Sequence, residues 1–181
     1  MTDTHSATSS SIDSFLSAVE HSARAAGVFG SIDRESDRLR CRAADSAEEA
    51  WYRVLLEDGR WFVELVTANR WLSESIESDL MHDGDPIEEL IEEELVELGG
   101  AGRPIVQHFR SDDRLYTFRT PVEVVAHGLP DHHLTGRLLL AYEAAFRELG
   151  DMGDKGDKGD KGDKGDKGDM GDKGDMGGDG A

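Results

Sequence analysis

The chain has 181 residues, enough for one ordinary domain, and 37% of them are hydrophobic, below the roughly 45–50% of an average soluble domain. Acidic residues outnumber basic ones by 39 to 20, a formal charge of −19, and with no basic patch to offset it this balance argues against nucleic-acid binding. The longest uninterrupted apolar stretches are only three to five residues, which excludes a membrane span.

Cys41 is the one cysteine, so an intramolecular disulfide and any multi-cysteine metal site are excluded. The opening Met-Thr-Asp-Thr-His-Ser has neither a positive n-region nor an apolar h-region, and the expectation is a cytoplasmic protein without a signal peptide. Composition then divides the chain. Residues 1–150 hold fourteen arginines, 29 acidic residues and no lysine, a net −15; all six lysines lie beyond Gly150, among ten aspartates.

Residues 1–10, rich in Thr and Ser, read as a disordered lead. From Ser11, the apolar positions Ile12, Phe15, Leu16, Val19, Ala23 and Ala26 follow helical spacing, with Gly27 as a stop. Residues 28–36 read as a loop, and Asp37 to Ala44 as a short edge strand with Leu39, Cys41 and Ala43 on one face. The clearest element follows: Trp51–Glu57 and Arg60–Val66 flank Asp58-Gly59, and Asp-Gly between two β-rich runs predicts a type I′ hairpin. That register pairs Glu57 with Arg60 and Leu56 with Trp61. Both strands are apolar on nearly both faces, which predicts a central hairpin covered by helices.

Residues 69–84 read as a polar crossing with some helical character. Asp85-Pro86 then opens a helix, with Asp85 as N-cap, Pro86 at the first position and Glu88 completing a capping box. Its stripe is Ile87, Leu90, Ile91, Leu95 and Leu98, ended by Gly99-Gly100. A second two-stranded unit spans Pro104 to Arg110 and Arg114 to Thr120, with Val122–Val125 extending it beyond Pro121. Pro130-Asp131 caps a last helix carrying Leu134, Leu138, Ala141, Tyr142, Ala145 and Leu149, and Gly150 closes the domain. The order helix, two or three strands, helix, two strands, helix predicts an α+β domain, an antiparallel sheet packed by helices.

Between Arg70 and Arg103 stand eleven acidic residues and no basic one. Glu88, Glu89, Glu92 and Glu93 fall mostly opposite the apolar stripe. They read either as a solvated helix face or as a docking surface for a cationic partner. Trp51, Trp61 and Trp71 read as core anchors, or as part of an apolar groove if the hairpin leaves one face open. Asp83-Gly-Asp85 lacks the rest of a calcium loop. His82, His108, His127, His132 and His133 read as exposed turn residues without metal spacing. Cys41, flanked by Arg40 and Arg42, reads as a packed strand thiol. No catalytic or cofactor-binding set emerges, and a hydrolase or metalloenzyme built on the His and Asp residues near 127–133 is the weakest reading.

Glycine recurs at every third position from Gly153 to Gly177, in eight Gly-Asp-Lys or Gly-Asp-Met triplets. That period is the collagen requirement, but the absence of proline favours a disordered tail of balanced charge.

In element order, residues 50–150 resemble the YbjN-type and type III secretion chaperone-like α+β domains: Trp51–Val66 as the hairpin, Ile87–Leu98 as the middle helix, Ile105–Thr120 as the next strands and Leu134–Leu149 as the last helix. The resemblance implies a cytoplasmic, homodimeric binding domain without catalysis or cofactor, holding protein segments in a groove or on a sheet surface. The expected function is therefore a protein-binding module, chaperone-like or regulatory, for a cationic or partly unfolded protein. Its expected contacts are Trp51, Trp61, Glu88, Glu89, Glu92 and Glu93. The alternative is a scaffold protein trimerised by the collagen-like tail.

Overall fold

The computed structural model describes residues 9–153. The repeat tail beyond them, with its collagen-like reading, and residues 1–8 lie outside the described residues. The fold is α+β and follows the order helix α1 (Ser9–Ala26), strands β1 (Phe29–Arg34), β2 (Arg38–Ala43), β3 (Ala50–Glu57) and β4 (Arg60–Thr67), helices α2 (Arg70–Asp83) and α3 (Ile87–Glu97), strands β5 (Gln107–Arg110), β6 (Tyr116–Val122), β7 (Val124–Ala126) and β8 (Leu129–Pro130), and helix α4 (His132–Arg147). Six strands form one antiparallel sheet in the order β1-β2-β3-β4-β6-β5, and β7 with β8 form a separate pair.

The hairpin stands as its sequence dictates. Asp58 and Gly59 both take positive φ, 49° and 76°, the type I′ geometry that matches strand twist. Glu57 faces Arg60 and Leu56 faces Trp61. β3 and β4 occupy the middle of the sheet, but helices cover only one of their faces. Residues Tyr52, Val54, Trp61, Val63 and Leu65 join one cluster with Phe15, Leu16 and Val19 of α1, Leu72 and Ile76 of α2, Ile91 and Leu95 of α3, and Leu139, Tyr142 and Phe146 of α4. Leu55, Phe62 and Val66, which alternate with them, are buried but stand outside that cluster.

Several expectations need correction. The segment 28–36 is not a loop, because Phe29–Arg34 pairs with β2; β2 is consequently an inner strand. Ser9 and Ser10 already belong to α1. The crossing 69–84 is a full helix, N-capped by Asn69, whose side chain accepts from the Leu72 amide at 3.1 Å, and ended by Gly84 at φ 80°. Pro86, not Asp85, sits at the α3 N-cap with no side-chain cap; the Glu88 carboxylate instead accepts from the Val106 amide at 3.4 Å. Gly99 and Gly100 end α3 through paired bonds to Val96 and Leu95 carbonyls, a Schellman motif. Val124 and Val125 leave the main sheet for the β7–β8 pair.

α4 opens as its sequence predicts, the Asp131 carboxylate accepting from the Leu134 amide at 2.9 Å. The domain runs past Gly150: Met152 is buried, and the Asp151 carbonyl accepts from the Ala47 amide at 2.9 Å. At Gly150, φ is 52° and a Cβ would stand 2.7 Å from the Ile76 backbone nitrogen. Only glycine fits between α4 and α2 there.

Candidate functional site

The strand faces diverge by the two-residue period of the backbone. Away from the helices, one row of cross-strand partners crosses the whole sheet: Asp33, Arg40, Arg53, Glu64, Arg119 and Gln107, one from each of the six strands. A neighbouring row holds Arg42, Trp51, Val66 and Thr117. Because β2 reads Arg38-Leu39-Arg40-Cys41-Arg42, its three arginines share this face while Leu39 and Cys41 point to the core. Arg53, Arg60 and Arg119 join them by register. Six of the fourteen arginines thus stand on strand positions of one face, against the acids Asp33, Glu57 and Glu64.

This face is a mat of aromatic rings and guanidinium groups. Arg40 lies 4.3 Å above the Trp51 ring, and Arg119 lies 4.2 Å from the centroid of Phe62 and 4.7 Å from that of Phe109. At its centre Arg53 pairs with Glu64, which is only 2% exposed. Burial pushes the Glu64 carboxyl above its ordinary value, opposed by the Arg53 charge. Arg119 pairs with Glu57 at 2.6 Å, and Arg38 and Arg40 reach Glu35 at 3.3 and 3.4 Å. Arg42 and Arg60, both exposed, have no carboxylate within ion-pair distance among the described residues. Beside Trp51 opens a groove of about 490 Å³, lined by Arg40, Arg53, Val66, Leu115 and the acids Glu48 and Glu49. The Trp51 indole N–H donates to Glu49 at 2.8 Å.

The structure does not bring the expected contact residues together. Trp61 is fully buried on the helical face, edge-on to Phe15 at 4.6 Å, with its indole N–H donating to the Gly128 carbonyl. A side chain opposite Leu56 at the hairpin end points to the core face. Trp51 belongs to the open face, and Trp71 is 75% exposed on α2. Glu88, Glu89, Glu92 and Glu93 ride on α3, which packs against α4 on the other side of the sheet. Glu89 pairs with Arg103 at 3.5 Å. Trp51 and these glutamates therefore form two surfaces.

A second hollow of about 370 Å³ lies between α4 and the β6 end, lined by Ile105, Val122, Leu134 and Leu138. Ile105 and Leu134 are themselves exposed.

Other candidate chemistry resolves into structure. Burial pushes the Cys41 thiol up to about 12, and its flanking arginines face the opposite way. His108 is not a turn residue: its ring stacks on Phe118 at 3.8 Å in β5, and burial lowers its pKa. Its Nε2 lies 3.4 Å from the Ser73 hydroxyl and 3.7 Å from Glu77. One nitrogen meets both groups, and Ser73 is fully buried, so the trio lacks the relay geometry of a nucleophilic triad. Among the described residues no cluster of three or more His, Cys, Asp or Glu side chains is placed to hold a metal, and no helix is long and apolar enough to cross a membrane.

No family model matches the chain, and neither does any curated protein or solved structure. The site's chemistry therefore rests on its own residues.

Proposed function

We propose that this chain is a non-enzymatic protein-binding module, chaperone-like or regulatory, working in the cytoplasm as a homodimer and holding a segment of another protein on its open sheet face. One observation carries the reading. Among the described residues, a six-stranded sheet keeps the four helices on one side and leaves the other to Trp51 and a field of arginines. Tryptophan and arginine are the residues that protein interfaces favour and that dominate their energetics. The element order, similar to that of secretion-chaperone-like domains, supports the same class.

Two measurements test it. A tagged chain should retain a defined protein partner at low salt and lose part of it at about 0.5 M salt, where surface charges are screened. Finding no reproducible partner at either salt contradicts the reading. Light scattering on the full chain and on one ending at Gly153 should give a dimer for both. A trimer that collapses on truncation would favour the tail-driven scaffold instead.

A further inference from the structure

Resting on the protein-binding reading, we infer that the segment taken by the open face is acidic: an extended stretch of chain with carboxylates for the arginine row and an apolar side chain for the groove beside Trp51. The acidic content of the molecule points the other way, toward a cationic partner, yet that content sits elsewhere. The eleven acids between Arg70 and Arg103 belong to α2, α3 and their junction, on the helical side. The open face holds six arginines against three acids at its strand positions, with Glu35 and Asp37 at the β1–β2 turn and Glu48 and Glu49 at the groove beside Trp51.

Local pairing leaves part of this charge unspent. Glu64 neutralises Arg53, Glu57 neutralises Arg119, Asp37 holds Arg38 at 3.1 Å, and Glu35 lies 3.3 and 3.4 Å from Arg38 and Arg40. Arg42 stands directly opposite Trp51 across the β2–β3 ladder, with no carboxylate in ion-pair reach among the described residues. An incoming glutamate there would meet a guanidinium able to hold it in two parallel hydrogen bonds. Val66 and Leu115 in the adjacent groove give the apolar side chain its contact.

Aromatic rings with arginines on an open sheet also describe a single-stranded nucleic-acid platform. Here the rings are already taken. Phe62 is 6% exposed beneath Arg119, and Arg40 covers the Trp51 ring. Stacking a base would require displacing a guanidinium.

The test uses the full chain and fluorescence anisotropy with three labelled probes: a peptide alternating glutamate with leucine, its lysine–leucine counterpart, and an oligothymidylate of similar length. The glutamate peptide should bind best and weaken with salt. Arg42→Glu and Arg40→Gln should each lower its affinity about tenfold or more. Arg103→Glu, an equal charge change on the helical side, should leave it within about twofold. Far-UV circular dichroism checks that each variant is folded; Arg42 has no ion pair to lose among the described residues, and Arg40→Gln answers independently. The inference is overturned if the lysine peptide binds equally well, if neither open-face variant weakens the complex, or if the oligothymidylate binds more tightly. A tagged Arg42→Glu chain that still retains its cellular partner would overturn the acidic-segment inference while leaving the protein-binding reading intact.

Discussion

The two faces of the sheet are made from the same strands and held by different physics. On the helical face, Tyr52, Val54, Trp61, Val63 and Leu65 are essentially removed from water, each large side chain stabilising the fold by about 1.5–3 kcal/mol. On the open face, Leu55, Phe62 and Val66 reach similar burial without a helix above them. Their cover is long side chains, Arg119 over Phe62 and Arg40 over Trp51, whose contacts are worth only about 0.5–1 kcal/mol each. One face is a core; the other is a surface whose outermost layer is arginine.

The sharpest way to break this contrast is to truncate a tryptophan on each side. Trp61→Ala should cost about 3–5 kcal/mol, because it opens a cavity against Phe15 and α1. Trp51→Ala should cost about 1 kcal/mol, losing partial burial, its Arg40 contact and an exposed hydrogen bond to Glu49. Urea denaturation of both variants checks the ordering, and equal losses would mean that the open face is core as well.

Breaking the charged centre of the open face comes next. Arg53→Ala strands Glu64 in a site 2% exposed and should cost about 2–3 kcal/mol, discounted from fully buried pairs because Arg53 retains some solvent contact. Gly150→Ala should cost about 1–3 kcal/mol through its positive φ and the approach of the Ile76 backbone. Both are read as shifts in the denaturation midpoint.

The smallest effect is a pH dependence. The folded Glu64 pKa is raised, so its contribution to stability is fully present below the unfolded value and is lost as pH rises through the folded value. Stability of the native chain relative to Glu64→Gln should therefore fall as pH rises through the range just above the ordinary glutamate value. A difference that is flat across that window, or that rises with pH, contradicts the burial of this carboxyl.

The sequence made the hairpin legible because local chemistry alone decides it: Asp58-Gly59 demands positive φ at both positions, and the register follows. The last helix was legible for the same reason, through its Asp131 cap. β1 was not, since Phe29–Arg34 has a mostly exposed pattern and becomes a strand only through pairing with β2. α2 was legible in part: Leu72 and Ile76, both buried, give 69–84 its helical character, but its polar surface hid a full helix.

Of the expected contacts, Trp51 lies on the open face and Trp61 does not, a difference set by strand parity. Arg38-x-Arg40-x-Arg42 carried a readable signal, three cations at the two-residue period of a strand. What no single segment could reveal was the row from Asp33 to Gln107, because it exists only once six strands are in register.

The three tryptophans supply the most direct test, since Trp51, Trp61 and Trp71 report the open face, the core and the helical surface respectively. An ¹H–¹⁵N spectrum resolves their indole N–H signals in the intact protein. On titration with the glutamate–leucine peptide, the Trp51 signal should shift progressively while those of Trp61 and Trp71 stay in place. A shift confined to Trp71, or no shift at Trp51 at saturating peptide, would contradict the assignment of the binding surface to the open face of the sheet.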